Sequence, residues 1–248
     1  NKELAIKATA GMDCIVHLAA NPGVFESVKD PRKDMEVNVV GTFNLLEAAR
    51  INGVKQFVFA SSGAPAGEIE PPIHEEIVPH PVSPYGSSKL AGEGYCSSYS
   101  RTFGINTVML RFGNVYGPGS THKTSVVSRF ISNVINGNPC KIYGDGSQTR
   151  DFIFIDDLVD TIINASTFHK GGEVFQIASG EELSILKLTN YMGVIFTNLG
   201  YRMEIEFEEE RAGDVMHNYS DIFKAKRDLD WIPKTTIKRG LEITINAY

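Results

Sequence analysis

The chain has 248 residues, 42% hydrophobic and 22% charged, an ordinary globular composition long enough for one large or two small domains. A formal net charge of −6 argues against a general nucleic-acid binder, so an anionic ligand needs Arg or Lys placed at its own site. No apolar run approaches membrane-spanning length, no signal peptide is visible, and Cys14, Cys96 and Cys140 have no metal-type spacing; a reducing, cytoplasmic setting with neither membrane nor metal is expected.

Residues 2–10 read as a helix, and a first residue that is Asn rather than Met leads us to expect further chain before it. Asp13–Ala20 is an apolar run of buried-strand type, within which His17 is expected to be a packed core histidine. Asn21-Pro22-Gly23 breaks the strand. Residues 34–51 read as one long helix with an apolar stripe of Val37, Val40, Phe43, Leu46 and Ala49. Asn38 inside it is expected to face solvent or a ligand. Gly53 ends this helix, and Phe57–Ala60 begins a buried strand that ends in Ser61 and Ser62. Strand, helix, strand with short loops is the pattern of a doubly wound parallel sheet, whose ligands sit at the carboxyl ends of the strands.

Residues 63–82, rich in Pro and Gly, read as a loop over that edge. Ser83 suits a helix cap and Pro84 a first turn; the helix runs to about Phe103 and stops at Gly104. Thr107–Phe112 is a further strand, followed by the turn-rich Gly113–Gly119. Beyond it we expect a helix at 124–136, strands at Cys140–Tyr143 and Arg150–Ile155, and a helix from Asp156 to about Thr167. A strand at Val174–Ala178, a helix at 184–199 and a strand at 203–207 follow. The acidic run Glu208–Glu210 reads as solvated, ahead of a helix near 221–229 and a last one after Pro233.

Tyr85 and Lys89 lie four apart and share a helix face. An ammonium beside a phenol favours phenolate and is expected to draw the tyrosine pKa towards neutrality, giving a base for a sugar or alcohol hydroxyl. Tyr-x-x-x-Lys alone is a common spacing; joined to a strand-end Ser62 it reads as a hydride-transfer constellation.

His17-Leu18-Ala19-Ala20, Asn38-Val39-Val40-Gly41-Thr42, Ser61-Ser62, Pro84-Tyr85-Gly86-Ser87-Ser88-Lys89, Arg111–Gly119, Gly144–Asp151 and Arg211-Ala212-Gly213-Asp214 occur in this order. Together they resemble the extended short-chain dehydrogenase/reductase family, in its nucleotide-sugar epimerase/dehydratase branch. The resemblance implies an α/β fold. A Rossmann-like doubly wound parallel sheet, its N-terminal part missing, would bind NAD with residues 1–112 and 147–178. A smaller, mostly C-terminal substrate domain would use 113–146 and 179–248. It implies Ser62, Tyr85 and Lys89 as catalytic residues. Leu18, Ala19, Ala20, Asn38, Ala60, Ser61, Phe112 and Val115, with Tyr85 and Lys89, would line the NAD site. Asn114, Tyr143, Arg150, Arg211, Asp214 and Asn218, with Ser62, would hold a UDP-hexose. It further implies a homodimer through the helices at 34–51 and 85–103.

The family opens with a strand, Gly-x-x-Gly-x-x-Gly and a helix, none of which is in this sequence, so roughly sixty residues of such a domain are expected upstream. The chain is therefore either part of a longer protein or impaired. After Ser62, Gly63-Ala64-Pro65-Ala66-Gly67 stands where relatives have small-Val-Tyr-Gly, and no Asp-Glu pair follows the catalytic hydroxyl as in the dehydratases. That favours simple epimerisation at C4; a nucleotide-sugar reductase or dehydratase, or a non-catalytic nucleotide-sugar binder, remain the alternatives. Asn218 stands where the resemblance places a wall near the sugar's C2 substituent.

Overall fold

The computed structural model describes residues 1–120, 125–210 and 215–248. In chain order it contains α1 (Lys2–Ala8), β1 (Cys14–His17), α2 (Val24–Lys29), α3 (Pro31–Asp34), a π-helical segment (Met35–Val40) and α4 (Gly41–Asn52). Next come β2 (Gln56–Ser62), a 3₁₀ turn (Ala64–Ala66), α5 (Pro84–Phe103), β3 (Asn106–Phe112), β4 (Asn114–Tyr116), α6 (Val126–Ile135) and β5 (Cys140–Tyr143). The remainder is β6 (Thr149–Arg150), β7 (Phe152–Phe154), α7 (Ile155–Ser166), β8 (Glu173–Ile177), β9 (Leu183–Ser184), α8 (Ile185–Asn198), β10 (Ile205–Glu208), α9 (Phe223–Asp228) and α10 (Ile237–Asn246).

Two compact units divide the chain: residues 1–112, 160–177 and 221–231 form the first, and 113–159, 178–220 and 232–248 the second. The expected division put 147–159 and 178 with the first and 221–231 with the second.

In the first unit β1, β2, β3 and β8 lie side by side, all parallel. β2 is buried from Gln56 to Ser61, because both faces of the sheet are covered, which is why its sequence shows no alternation. Phe57 and Phe59 join Leu46 and Ala49 of α4 and Cys96 and Tyr99 of α5 in one core. On α5, a Cβ at Gly92 would stand 2.5 Å from the Phe59 ring, so glycine lets the helix lie close on the strand. The Ser83 hydroxyl accepts from the Gly86 N–H at 3.1 Å and Pro84 fills the first turn, as the sequence predicts.

The long helix expected at 34–51 is broken into α3, the π segment and α4. The wider π turn rotates the inward face onto Asn38 and Thr42, which are buried, and leaves Val37 and Val40 exposed. Only Leu46 and Ala49 of the expected stripe reach the core.

The second unit is held by short pairings, β4 with β7, β5 with β10 (both parallel) and β6 with β9 (antiparallel). Its core gathers Phe130 and Ile131 of α6, Leu188, Met192 and Phe196 of α8, and Leu241 of α10. Among the described residues, no helix is long and apolar enough to cross a membrane.

Candidate active site

β2 ends at Ser62, at the carboxyl edge of the parallel sheet, and α5 brings Tyr85 and Lys89 to it. Ser62 Oγ accepts from the Ala64 N–H at 3.2 Å, which leaves its own proton to donate. Lys89 is buried, and its Nζ donates to the Ala60 carbonyl at 2.7 Å, lying 5.0 Å from the centre of the Phe59 ring and 5.8 Å from that of Tyr85.

The electrostatics differ from those expected of the spacing. Burial pushes the Tyr85 phenol up from its ordinary value, the Ser62 hydroxyl partly offsets this, and the Asp34 carboxylate adds to the rise. Lys89 is not among the groups that move the phenol; its hydrogen bond goes to the strand carbonyl. Burial in turn lowers Lys89 to about 8, against the pull of Asp34 and then Glu93 towards the charged form.

Asn38 is buried rather than solvent-facing. Its Nδ2 donates to Asp34 Oδ1 at 2.9 Å, Ser88 Oγ at 3.1 Å and the Asn21 carbonyl at 3.1 Å, and its Oδ1 accepts from the Asn21 N–H at 2.7 Å. It thereby pins the turn after Leu18, Ala19 and Ala20 to α5. Leu18 and Ala19 are exposed at the end of β1 and Ala20 is half-buried. Ala60 is buried, and Phe112 and Val115 are half-buried. Ser61 is buried too, and its hydroxyl is committed to Glu93 at 2.6 Å. His17 is the packed histidine the sequence predicts: it sits between Phe57 and Phe59, its Nε2 is 2.9 Å from Thr42 Oγ1, and burial, then Lys89, lower it to about 4.

In the second unit Asp151 is the organising group. Its carboxylate accepts from Ser179 N (2.7 Å), Ser179 Oγ (2.6 Å), Gly180 N (3.0 Å) and Ser220 N (3.2 Å). Its carbonyl accepts from Asn114 N at 2.8 Å and Asn114 Nδ2 at 3.2 Å. Gly113, beside it, approaches so closely that a Cβ would stand 3.0 Å from Ala178 Cβ. Arg150 Nη1 donates to the carbonyls of Thr149 at 2.7 Å and Val215 at 2.6 Å, fastening the segment that carries Asn218. Asn218 is half-buried, its N–H donating to Thr149 Oγ1 at 3.4 Å. Tyr143 closes β5, half-buried, its carbonyl accepting from Gln148 Nε2 at 2.7 Å. Arg211 and Asp214 lie outside the described residues.

Asp34, Glu93 and Arg111 are buried charges of the first unit to which the sequence assigns no role. The signal for Glu93 is present: it continues the spacing of Tyr85 and Lys89 by one more turn.

A parallel sheet whose edge presents a serine to a tyrosine and a buried lysine on the next helix suits proton removal from a hydroxyl beside a dinucleotide. The residues present fit such a cofactor: Lys89 makes one hydrogen bond among the described residues although its ammonium carries three N–H, and small or apolar Leu18, Ala19 and Ala20 lie at a strand's carboxyl end. Comparison with known proteins agrees. Residues 1–178 match the NAD dependent epimerase/dehydratase family. A UDP-glucose 4-epimerase of Mycolicibacterium smegmatis is 36% identical over 241 residues, 95% of this chain and 76% of that protein. The crystal structure of the Thermotoga maritima UDP-glucose 4-epimerase with UDP-glucose superposes with a TM-score of 0.94 at 33% identity, covering 100% of this chain and 81% of the other. A UDP-N-acetylglucosamine 4-epimerase of Methanobrevibacter ruminantium, in complex with UDP-N-acetylmuramic acid, gives 0.92 at 29% identity, covering 98% and 78%. The chain belongs to the NAD-dependent epimerase/dehydratase family of Rossmann-like enzymes that act on nucleotide sugars, and NAD is its cofactor.

Proposed function

We propose that the protein inverts the configuration at C4 of a UDP-hexose, with Tyr85 as the group that takes and returns the O4 proton. The observation that supports it most is the strand end itself: Ser62 beside Tyr85, with a short turn of Gly63, Ala64 and Pro65 next in the chain and no carboxylate in it to drive loss of water. Ser62, oriented by the Ala64 N–H, donates a hydrogen bond to O4. Tyr85 accepts the O4 proton as general base and gives it back as general acid. Lys89 holds positive charge beneath the tyrosine ring, anchored on the Ala60 carbonyl. NAD, when bound, supplies the reversible oxidation at C4. The first unit is the proposed NAD side. In the second, Asn114, Arg150 and Arg211 are the proposed holders of the diphosphate, and Tyr143, Asp214 and Asn218 of the uridine and sugar.

Tyr85→Phe keeps the ring and removes the ionisable hydroxyl. In the full-length enzyme turnover is expected to fall by roughly 10²–10⁴, while calorimetry shows nucleotide-sugar binding retained. Near-normal turnover removes Tyr85 from the mechanism. NMR of the product separates the alternatives: an inverted C4 with no loss of water is expected, and a 4-keto-6-deoxy sugar would make the enzyme a dehydratase.

A further inference from the structure

The helix face that carries Tyr85 and Lys89 carries a third ionisable group. Glu93 follows Lys89 by the interval at which Lys89 follows Tyr85, so the three run along one side of α5. Glu93 is 5% exposed and Arg111, on β3, is 3% exposed. Glu93 Oε1 accepts from Arg111 Nε at 2.8 Å and from Ser61 Oγ at 2.6 Å, and Oε2 accepts from Arg111 Nη2 at 2.7 Å. Ser61 and Arg111 are register partners of β2 and β3, so one carboxylate ties the helix to two strands. The helix therefore meets the last residues of β2 at three successive turns: Glu93 at Ser61, Lys89 at the Ala60 carbonyl and Tyr85 beside Ser62.

Stability alone accounts poorly for this pair. Buried ion pairs are often no better than apolar residues of the same volume. Arg111 Nη1 is moreover buried without a partner among the described residues, which costs free energy. What a forked carboxylate–guanidinium pair adds is fixed geometry and fixed charge. We propose that Glu93 is a positioning residue for Lys89: clamped by Arg111 and Ser61, it sets α5 on the strand end and supplies a buried negative charge one turn from the ammonium. This rests on the reading of Lys89 as part of the active site.

The other groups facing Lys89 are few. Asp34 approaches from α3 and acts in the same direction as Glu93. His17, from β1, is held near 4 and is neutral at physiological pH. Burial raises the Tyr85 phenol, and Arg111 is engaged by Glu93. On α2, α3 and the π segment, Glu26, Lys29, Arg32, Lys33 and Glu36 are exposed; Glu47 and Arg50 of α4 pair with each other beside Tyr99, further along α5.

The test reads the lysine directly, without substrate, and so separates this proposal from the epimerase reading. In full-length protein labelled with ¹³Cε-lysine, the Lys89 resonance is assigned from Lys89→Met and titrated. Glu93→Gln keeps the shape and removes the charge; the Lys89 midpoint is expected to fall by about one pH unit, and the alkaline limb of kcat against pH to fall with it. Glu93→Asp, which keeps the charge, is expected to restore most of that shift. Should Glu93→Gln not fold, because Arg111 loses its counter-ion, the double variant Glu93→Gln/Arg111→Met removes both charges, and the Lys89 midpoint is expected to fall by less, in the same direction. A folded variant of either kind with the parent's Lys89 midpoint overturns the proposal, whatever its melting temperature.

Discussion

Asp34 acts on both members of the Tyr85–Lys89 pair. A buried carboxylate favours ammonium over amine and phenol over phenolate, so it raises both pKa values. Asp34→Asn keeps an acceptor for Asn38 and removes the charge, so both midpoints fall. With Tyr85 acting ionised and Lys89 protonated, the bell-shaped profile of kcat is expected to move as a whole to lower pH. Movement of either limb to higher pH contradicts this assignment. For the proposed sugar pocket, Asn218 is the residue to test. Its backbone is held on Thr149, and its side-chain amide makes no hydrogen bond among the described residues, so it has donors and an acceptor to offer. A small, polar wall admits an acetamido group, and a smaller wall relaxes selectivity rather than reversing it. The enzyme is expected to accept UDP-N-acetylglucosamine as well as UDP-glucose, and Asn218→Tyr to lower kcat/KM selectively for the N-acetylated sugar. Equal losses for both sugars, measured by steady-state kinetics, would show that Asn218 does not set the pocket's size.

Among the elements, β1 carries a pH-sensitive contribution to stability. His17 is near 4 in the folded chain and near 6.5 unfolded, so the unfolded state binds the proton more readily. Its contribution is complete above pH 6.5 and is lost as pH falls through about 4, a total of about 3 kcal/mol. Urea titrations between pH 4 and 7 are expected to show His17→Asn losing this slope; an unchanged slope would place the sensitivity elsewhere. The same strand shows what sequence reading can reach. β2, β3 and α5 were legible to within a residue or two, because apolar runs, a Ser-Pro cap and a terminal glycine are local signals. The π segment was not, since an apolar stripe at helical spacing fits an uninterrupted α-helix, and only Asn38 and Thr42 bonding inward reveal the wider turn. α2 and α3 escaped notice beside Pro31, and β4, β6 and β9 are short strands made by distant partners. In the proposed site, Ser62, Tyr85 and Lys89 stand out in the sequence by strand end and spacing, and the structure brings them together. Glu93 continues that spacing, but its burial, like that of Asp34, is not legible: a charge on a helix reads as solvated until packing buries it.

At the scale of the whole molecule, Cys96 and Cys140 are buried thiols that burial pushes up, Cys140 to about 11, so both are held as unreactive core groups rather than nucleophiles. The outward surface of α4 and α5 is more informative. On these two helices Leu46 is fully buried and Tyr99 is 6% exposed, with its hydroxyl donating to Glu47 at 2.7 Å. Phe43 and Tyr95 instead pack edge to face, their ring centres 5.4 Å apart, and remain 37% and 39% exposed. Phe103, 48% exposed, extends the strip, with the Arg50 guanidinium 5.3 Å from its ring centre. Aromatic side chains in a row on two adjacent helices are the kind of surface a partner covers. We propose that this partner is a second copy of the chain, as the sequence resemblance implies, related by a two-fold axis that would place the same strip on both sides. Sedimentation at micromolar concentration is expected to show a dimer. Phe43→Glu puts a charge where the two strips meet and is expected to shift the protein to monomer while circular dichroism stays unchanged, because Phe43 lies outside the buried core of α4. A parent protein that sediments as a monomer at that concentration, or a Phe43→Glu variant that stays dimeric, would remove this face from the assembly.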